Sequence, residues 1–138
     1  MQIAWVVKNR SHDAETKHGC VITKDNKIIG TGYNGWPSKI DLPENFTRRP
    51  DKYCVMIHAE KNAIRHATSP LAGSTIYVTG KPCVDCLEAL SNASVSRIVA
   101  LKRKGTQLET PASDFAFEEI VKGKAIQIDW LDMEILDE

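Results

Sequence analysis

Thr75-Ile76-Tyr77-Val78-Thr79, then Pro82-Cys83-Val84-Asp85-Cys86-Leu87, then Arg97-Ile98-Val99-Ala100-Leu101: from these three neighbouring segments the architecture follows. The first and last are short, rich in β-branched residues, and read as strands. Between them Pro82 opens a helix whose Leu87, Leu90 and Ala93 recur at helical spacing. A strand, a helix and a second strand in succession form a crossover between parallel strands, and such crossovers are right-handed. The second strand is apolar at every position after Arg97. That predicts a place inside the sheet with both faces covered.

On the N-terminal side, His58 to about Ala67 reads as a helix. Ala59, Ala63, Ile64 and Ala67 share one face, and Ser69-Pro70 ends it. Residues 34–52 have little apolar periodicity and form a long loop, and long loops in compact domains tend to carry function. Gly19-Cys20-Val21-Ile22-Thr23 and Lys27-Ile28-Ile29-Gly30-Thr31-Gly32-Tyr33 read as strands joined by the polar turn Lys24-Asp25-Asn26. Residues 1–10 read as a short helix with Ile3, Ala4, Val6 and Val7 as its apolar stripe. On the C-terminal side, 102–113 is a polar connection. A helix follows over 114–122 with Phe115, Ile120 and Val121 as its apolar positions. Lys124-Ala125-Ile126-Gln127-Ile128 is a last strand before an acidic tail. The order α-β-β-α-β-α-β-α-β predicts an α/β chain. Its mixed sheet of about five strands opens with a β-hairpin and carries helices on both faces, in three layers.

A chain of 138 residues suits one domain, here 1–138, and is long enough to bury a core without disulfides. Lys plus Arg and Asp plus Glu both number 18, so the net charge is zero. That argues against binding nucleic acid through bulk electrostatics, although a local basic groove stays open. No apolar run approaches a membrane span. The first residues turn polar too soon for a secretory signal, so a cytoplasmic location is expected. In a reducing compartment the four cysteines are metal ligands, nucleophiles or small core residues rather than disulfides.

Two segments carry chemistry. Cys83 and Cys86 lie three apart at a predicted helix start, where their sulfurs can share a metal and the helix N-terminus favours the thiolate. His58 offers a third, nitrogen ligand. Three protein ligands leave one tetrahedral position open, the mark of catalytic zinc. Glu60 is too close in sequence to His58 to be a comfortable second ligand, but it can reach a water at the open position and move protons. The alternatives are a four-ligand structural zinc, drawing on Cys20, Cys54, His12, His18 or His66, and a redox C-x-x-C. Neither has a second paired motif or the right place in the chain.

The combination His58-Ala59-Glu60 with Pro82-Cys83-Val84-Asp85-Cys86 matches the signature of the zinc deaminases of nucleobases. With Arg10-Ser11-His12-Asp13, Lys17 to Ile22, and Gly32-Tyr33-Asn34-Gly35-Trp36-Pro37, the chain resembles the deoxycytidylate (dCMP) deaminases of the cytidine deaminase superfamily over about residues 1–101. The resemblance implies the superfamily's α/β/α fold, one catalytic Zn2+ per chain, and hydrolysis of dCMP to dUMP and ammonia. It makes His58, Cys83 and Cys86 the zinc ligands, and Glu60 the acid/base that protonates N3 and later the leaving amine. Ala59 backbone groups meet the pyrimidine edge, Pro82 and His18 border the base, and Asn34 meets the sugar. Arg10, Ser11 and Lys17 meet the phosphate. It also implies a homo-oligomer, commonly a hexamer, activated by dCTP and inhibited by dTTP with Mg2+ on the triphosphate. That effector would lie near Gly32, Tyr33 and Gly35.

His18 departs from the pattern, since the family usually has valine there. An imidazole at that position can stack on the pyrimidine or touch a substituent. Cys20 and Cys54 are expected in the core. A polynucleotide deaminase needs a basic channel lined by aromatic residues. Arg48-Arg49 and Lys102-Arg103-Lys104 are instead expected to be solvated, so a small nucleotide is the expected partner. A zinc-binding module without activity is expected to lack Glu60.

Overall fold

Asp25 and Asn26 both take positive φ, 53° and 63°, as a type I′ turn requires. They join β1 (Gly19–Lys24) to β2 (Lys27–Tyr33). The computed structural model describes residues 1–37, 40–103 and 109–137. Among these, β3 (Thr75–Val78), β4 (Arg97–Leu101) and β5 (Gln127–Leu131) complete a five-stranded sheet of order β2-β1-β3-β4-β5. β1 runs antiparallel to β2 and to β3, whereas β3, β4 and β5 are parallel. This is the mixed sheet that the sequence predicts, and Ile98 to Leu101 are buried as expected.

Helices cover both faces. They are α1 (Gln2–Val7), α2 (Ala59–Arg65), α3 (Val84–Asn92) and α4 (Pro111–Lys124). Neighbouring residues on a strand point to opposite faces. A Cβ at Gly19 would stand 2.1 Å from the Ala4 carbonyl oxygen, and one at Gly32, paired with Cys20, 2.3 Å from the Ala59 carbonyl oxygen. So α1 lies on one face and α2 on the other, each with its backbone against a strand. Cys20, Ile22, Ile76, Val78, Ile98 and Ala100 share the α2 face through the strand register. They form the main core with Ala63 of α2, Leu87 and Leu90 of α3 and Phe117 of α4. Full burial of Leu87 and Leu90 contributes roughly 1.5–3 kcal/mol each.

Several expectations need correction. In α1 only Ala4 is buried, while Ile3 and Val6 are exposed, because one short helix on a sheet hides one narrow stripe. Helix α3 starts at Val84, with Cys83 as its N-cap and Pro82 outside it. Helix α4 starts three residues before the expected Asp114. Thr110 and Ser113 form a reciprocal cap and Pro111 occupies the first position. Its buried aromatic is Phe117, whereas Phe115 is exposed. The helix runs on to Lys124 and ends in the left-handed Ala125, so the last strand is 127–131 rather than 124–128. Cys20 is buried, but Cys54 is exposed. It sits in a 3-10 turn, Asp51–Cys54, that turns Lys52 inward instead. Lys104, part of the predicted connection, and Glu138, the end of the acidic tail, lie outside the described residues. No helix among the described residues is long and apolar enough to cross a membrane.

Candidate active site

His58 and Cys83 are the N-caps of α2 and α3, both in extended backbone conformation. The position of His58 is set from outside its helix. Gly35 and Ile57 exchange two backbone hydrogen bonds, of 3.0 and 2.8 Å, which bring the segment before α2 alongside the end of β2. Asn62 Nδ2 then donates to the Tyr33 carbonyl at 2.9 Å. Lys61 of α2 pairs with Asp85 of α3, holding the two helix starts together. The Cys86 N–H donates to Cys83 Sγ at 3.4 Å, so the thiol occupies the acceptor place a serine would take in a capped helix.

His58 Nδ1 lies 3.3 Å from both sulfurs, and the three donor atoms fall within 4.8 Å of one another. A tetrahedral zinc with usual Zn–S and Zn–N bonds separates such ligands by about 3.6 Å. The donor set therefore fits zinc with little movement. The three groups share protons. Cys83 is drawn down to about 4, first by its hydrogen bond with Cys86 and also by His58, against the effect of burial. Cys86 is pushed up, first by that same bond. His58 is raised, chiefly by its bond to Cys83.

Glu60, in the first turn of α2, is 5% exposed. Burial raises its carboxyl above the usual range, opposed by the nearby His58. A buried carboxyl with raised affinity for a proton, beside a metal-ligand triangle, is suited to carry protons between water and a bound molecule. Glu60, His58 and Cys83 line a cavity of about 180 Å3, far more than one water needs. Ala59, Val78, Gly80 and His18 line it near the ligands. Gly80 leaves room for the His18 ring, since a Cβ there would stand 2.6 Å from His18 Cε1.

The opposite wall is a charge cluster. Asp13 is 1% exposed and Lys52 is 3% exposed. Lys52 Nζ is 2.8 Å from Asp13 Oδ2 and 3.3 Å from Glu15 Oε1. Asp13 Oδ1 also accepts from the Glu15 and Thr16 N–H groups. Arg49 donates to Thr16 Oγ1 and to the Tyr53 hydroxyl. This network clamps the 49–53 segment onto 13–16, in the same cavity that His58 and Cys83 line.

The structure brings His58, Cys83, Glu60, Ala59, Asn34 and His18 to one cavity, with the buried Cys86 behind them against His58. The Asn34 amide is engaged by the chain itself. Its Oδ1 accepts from the His18 N–H at 2.8 Å and its Nδ2 donates to the Thr16 carbonyl at 2.9 Å. Pro82 is fully buried and lines a smaller pocket at the α3 and α4 starts. Arg10, Ser11 and Lys17 do not line the main cavity. Arg10 lies over the Tyr33 ring at 5.7 Å, and Ser11 is buried with Oγ accepting from the Asp13 N–H. Gly32 is covered by α2, leaving Tyr33 and Gly35 half-buried at the turn. Arg49 and Arg103 are not simply solvated. Arg103 donates to the Lys17 and Thr79 carbonyls. Sequence reasoning missed Lys52, Arg49, Thr79 and Arg103 as parts of the site.

An open α/β sheet with a His-Cys-Cys triangle and a buried glutamate at two helix starts defines a zinc-hydrolase type of site. Residues 1–102 match the cytidine and deoxycytidylate deaminase zinc-binding region, and the chain belongs to that family. It is 30% identical to an uncharacterized deaminase in the luxG 3′ region of Aliivibrio fischeri, over 98% of this chain and 92% of that one. It is 32% identical to a deoxycytidylate deaminase of Mycobacterium phage D29, over 70% of this chain and 87% of that one. The chain spans 56% to 63% of the length of the animal relatives it matches. The fold is that of the dCMP deaminase of cyanophage S-TIM5, solved with dCMP and dUMP (TM-score 0.74, 21% identity, covering 94% and 92% of the two chains).

Proposed function

We propose that this chain, as a single deaminase domain over 1–138, hydrolyses the C4 amine of dCMP to give dUMP and ammonia. One observation carries the reading above all others. The buried Glu60 lines the same cavity as His58 and Cys83, two members of the donor triangle that Cys86 completes. Zinc, held by those three side chains, supplies the Lewis acidity that makes water nucleophilic at neutral pH. Glu60 takes one proton from the attacking water and delivers it to N3 of the cytosine. It then takes the proton left on the oxygen now bonded to C4 and delivers it to the amine, which leaves as ammonia as the C4–N bond breaks. Its raised proton affinity suits both transfers. Ala59 at the start of α2 meets the pyrimidine edge, and Val78 and the His18 ring border the base. Asn34 acts by holding the 16–18 backbone beside the sugar. The phosphate leaves the cavity past Thr16 towards Lys17.

Family membership supports the rest of the proposal: an intracellular homo-oligomer, up to a hexamer, responding to dCTP and dTTP with Mg2+. The test is ammonia release by the zinc-loaded protein from cytosine, deoxycytidine, CMP, dCMP and 5-methyl-dCMP, each with and without dCTP or dTTP. dCMP is expected to lead, and 5-methyl-dCMP reads the effect of the His18 ring. Deoxycytidine turned over as well as dCMP would remove the phosphate from the proposal. No ammonia from any of the five would overturn the reading.

A further inference from the structure

Among the described residues, the three cations that line the cavity each face a carboxylate: Arg49 faces Glu15, Lys52 faces Asp13, and Lys81 faces Asp114. Lys8, Lys17 and Arg103 differ. All three are half-buried, and none has a carboxylate partner among the described residues. They are also close together. Lys8 Nζ lies 4.2 Å and Arg103 Cζ 5.1 Å from the centroid of the Trp5 ring. Arg103 Nη1 donates to the Lys17 carbonyl at 3.0 Å. Partial burial, and then the charges of Arg103 and Lys17, lower the proton affinity of Lys8. Like charges gathered at a half-buried surface repel one another until an anion joins them.

This cationic shelf meets the cavity at two points. His18 lines the cavity, and its Nδ1 is 3.3 Å from Arg103 Nη1. Thr16 lines it also and is followed directly by Lys17. A single phosphate monoester carries about −1.5 to −2 at neutral pH, less than three cations can balance. Trp5 already has two cations over its ring and Tyr33 has one. Neither is offered as the stacking platform of a single-strand binder.

We propose that Lys8, Lys17 and Arg103 form a polyphosphate shelf at the mouth of the cavity. It receives the 5′-di- or triphosphate chain of a pyrimidine deoxynucleotide whose base lies beside Glu60. The proposal rests on the dCMP deaminase reading above and extends the nucleotides that the same site accepts.

The test uses the zinc-loaded protein, with dCMP deamination inhibited by deoxyuridine, dUMP, dUDP and dUTP. Inhibition is expected to be competitive, with Ki falling about tenfold for each phosphate added at low salt and less at high salt. Lys8→Gln is expected to collapse the ratio of the dUMP and dUTP values, while Lys122→Gln, on the exposed side of α4, keeps it. Values independent of phosphate number would overturn the shelf, and so would non-competitive inhibition by dUTP, which places the triphosphate at a separate site. Calorimetric binding of dUMP and dUTP to the same protein reads the shelf independently of turnover. Tighter dUTP binding without ammonia release would leave the shelf standing and sink the deaminase reading. Equal binding with dCMP turnover intact would do the reverse.

Discussion

The two walls of the cavity are built in opposite ways. The floor takes its chemistry from two helix starts, where His58 with Glu60 and Cys83 with Cys86 are two or three residues apart. The facing wall joins Asp13, Glu15, Arg49 and Lys52, up to 39 residues apart, through a buried ion pair. The floor is a pair of local motifs whose donor atoms converge; the wall is a long-range clamp. The difference teaches that the reacting groups depend on helix caps, while the shape of the space they face depends on paired charges far apart in the chain.

The largest expected effect tests the floor. Cys83→Ala removes one ligand and the cap acceptor together, so metal analysis should fall from about one zinc per chain towards none and ammonia release should disappear. Full zinc content in that variant would break the assignment of the triangle. Glu60→Gln keeps the ligands and removes the proton carrier. Turnover should drop by about 10²–10⁴-fold with zinc retained, and near-normal turnover would leave Glu60 without its role.

The wall responds in stability. Asp13→Ala leaves the Lys52 ammonium buried without its nearest partner, and urea unfolding should show a loss of about 3–5 kcal/mol. Adding Lys52→Met should recover part of that loss, because the stranded charge is then gone. A single Asp13→Ala cost below about 1 kcal/mol would mean that the clamp is an exposed pair in solution. The smallest effect is pH-dependent. Burial pushes the Glu15 carboxyl up, but the Arg49 N–H and Lys52 outweigh it, so its pKa falls below the ordinary 4.5. The folded state thus favours the carboxylate. Its stabilisation is present above that ordinary value and is lost as the pH drops through the folded value. The melting-temperature gap between the native chain and Glu15→Gln should be full at pH 7 and close in acid. A constant gap would remove Glu15 from the clamp.

Much of the fold was legible because its signals are local. The hairpin announces itself through Asp25-Asn26 between apolar runs, and the β3-α3-β4 crossover through its alternation of strand and helix periods. The C-terminal part was read less well. Apolar periodicity placed the last helix at Asp114, whereas the Thr110–Ser113 cap and Pro111 start it earlier. Left-handed Ala125 then moves the strand by three residues. Cys54 looked like core because it precedes Val55-Met56-Ile57, yet a 3-10 turn exposes it. Nothing near Lys52 marks it as buried, since its burial depends on direct contact with Asp13, 39 residues away in the chain.

The sequence by itself placed the His58-Ala59-Glu60 and Cys83-Val84-Asp85-Cys86 motifs at helix starts and gave the order of strands and helices along the chain, because each rests on spacings of a few residues that helix and strand geometry translate directly into space. Only the tertiary structure decided where the cations go. Lys52 is turned inward to a carboxylate, while Lys8 and Arg103 lie over Trp5, with Lys17 against Arg103, and none of the three has a carboxylate partner among the described residues. Charge pairing acts over a few ångströms between segments far apart in the chain, and no local pattern records which segments the fold will bring that close.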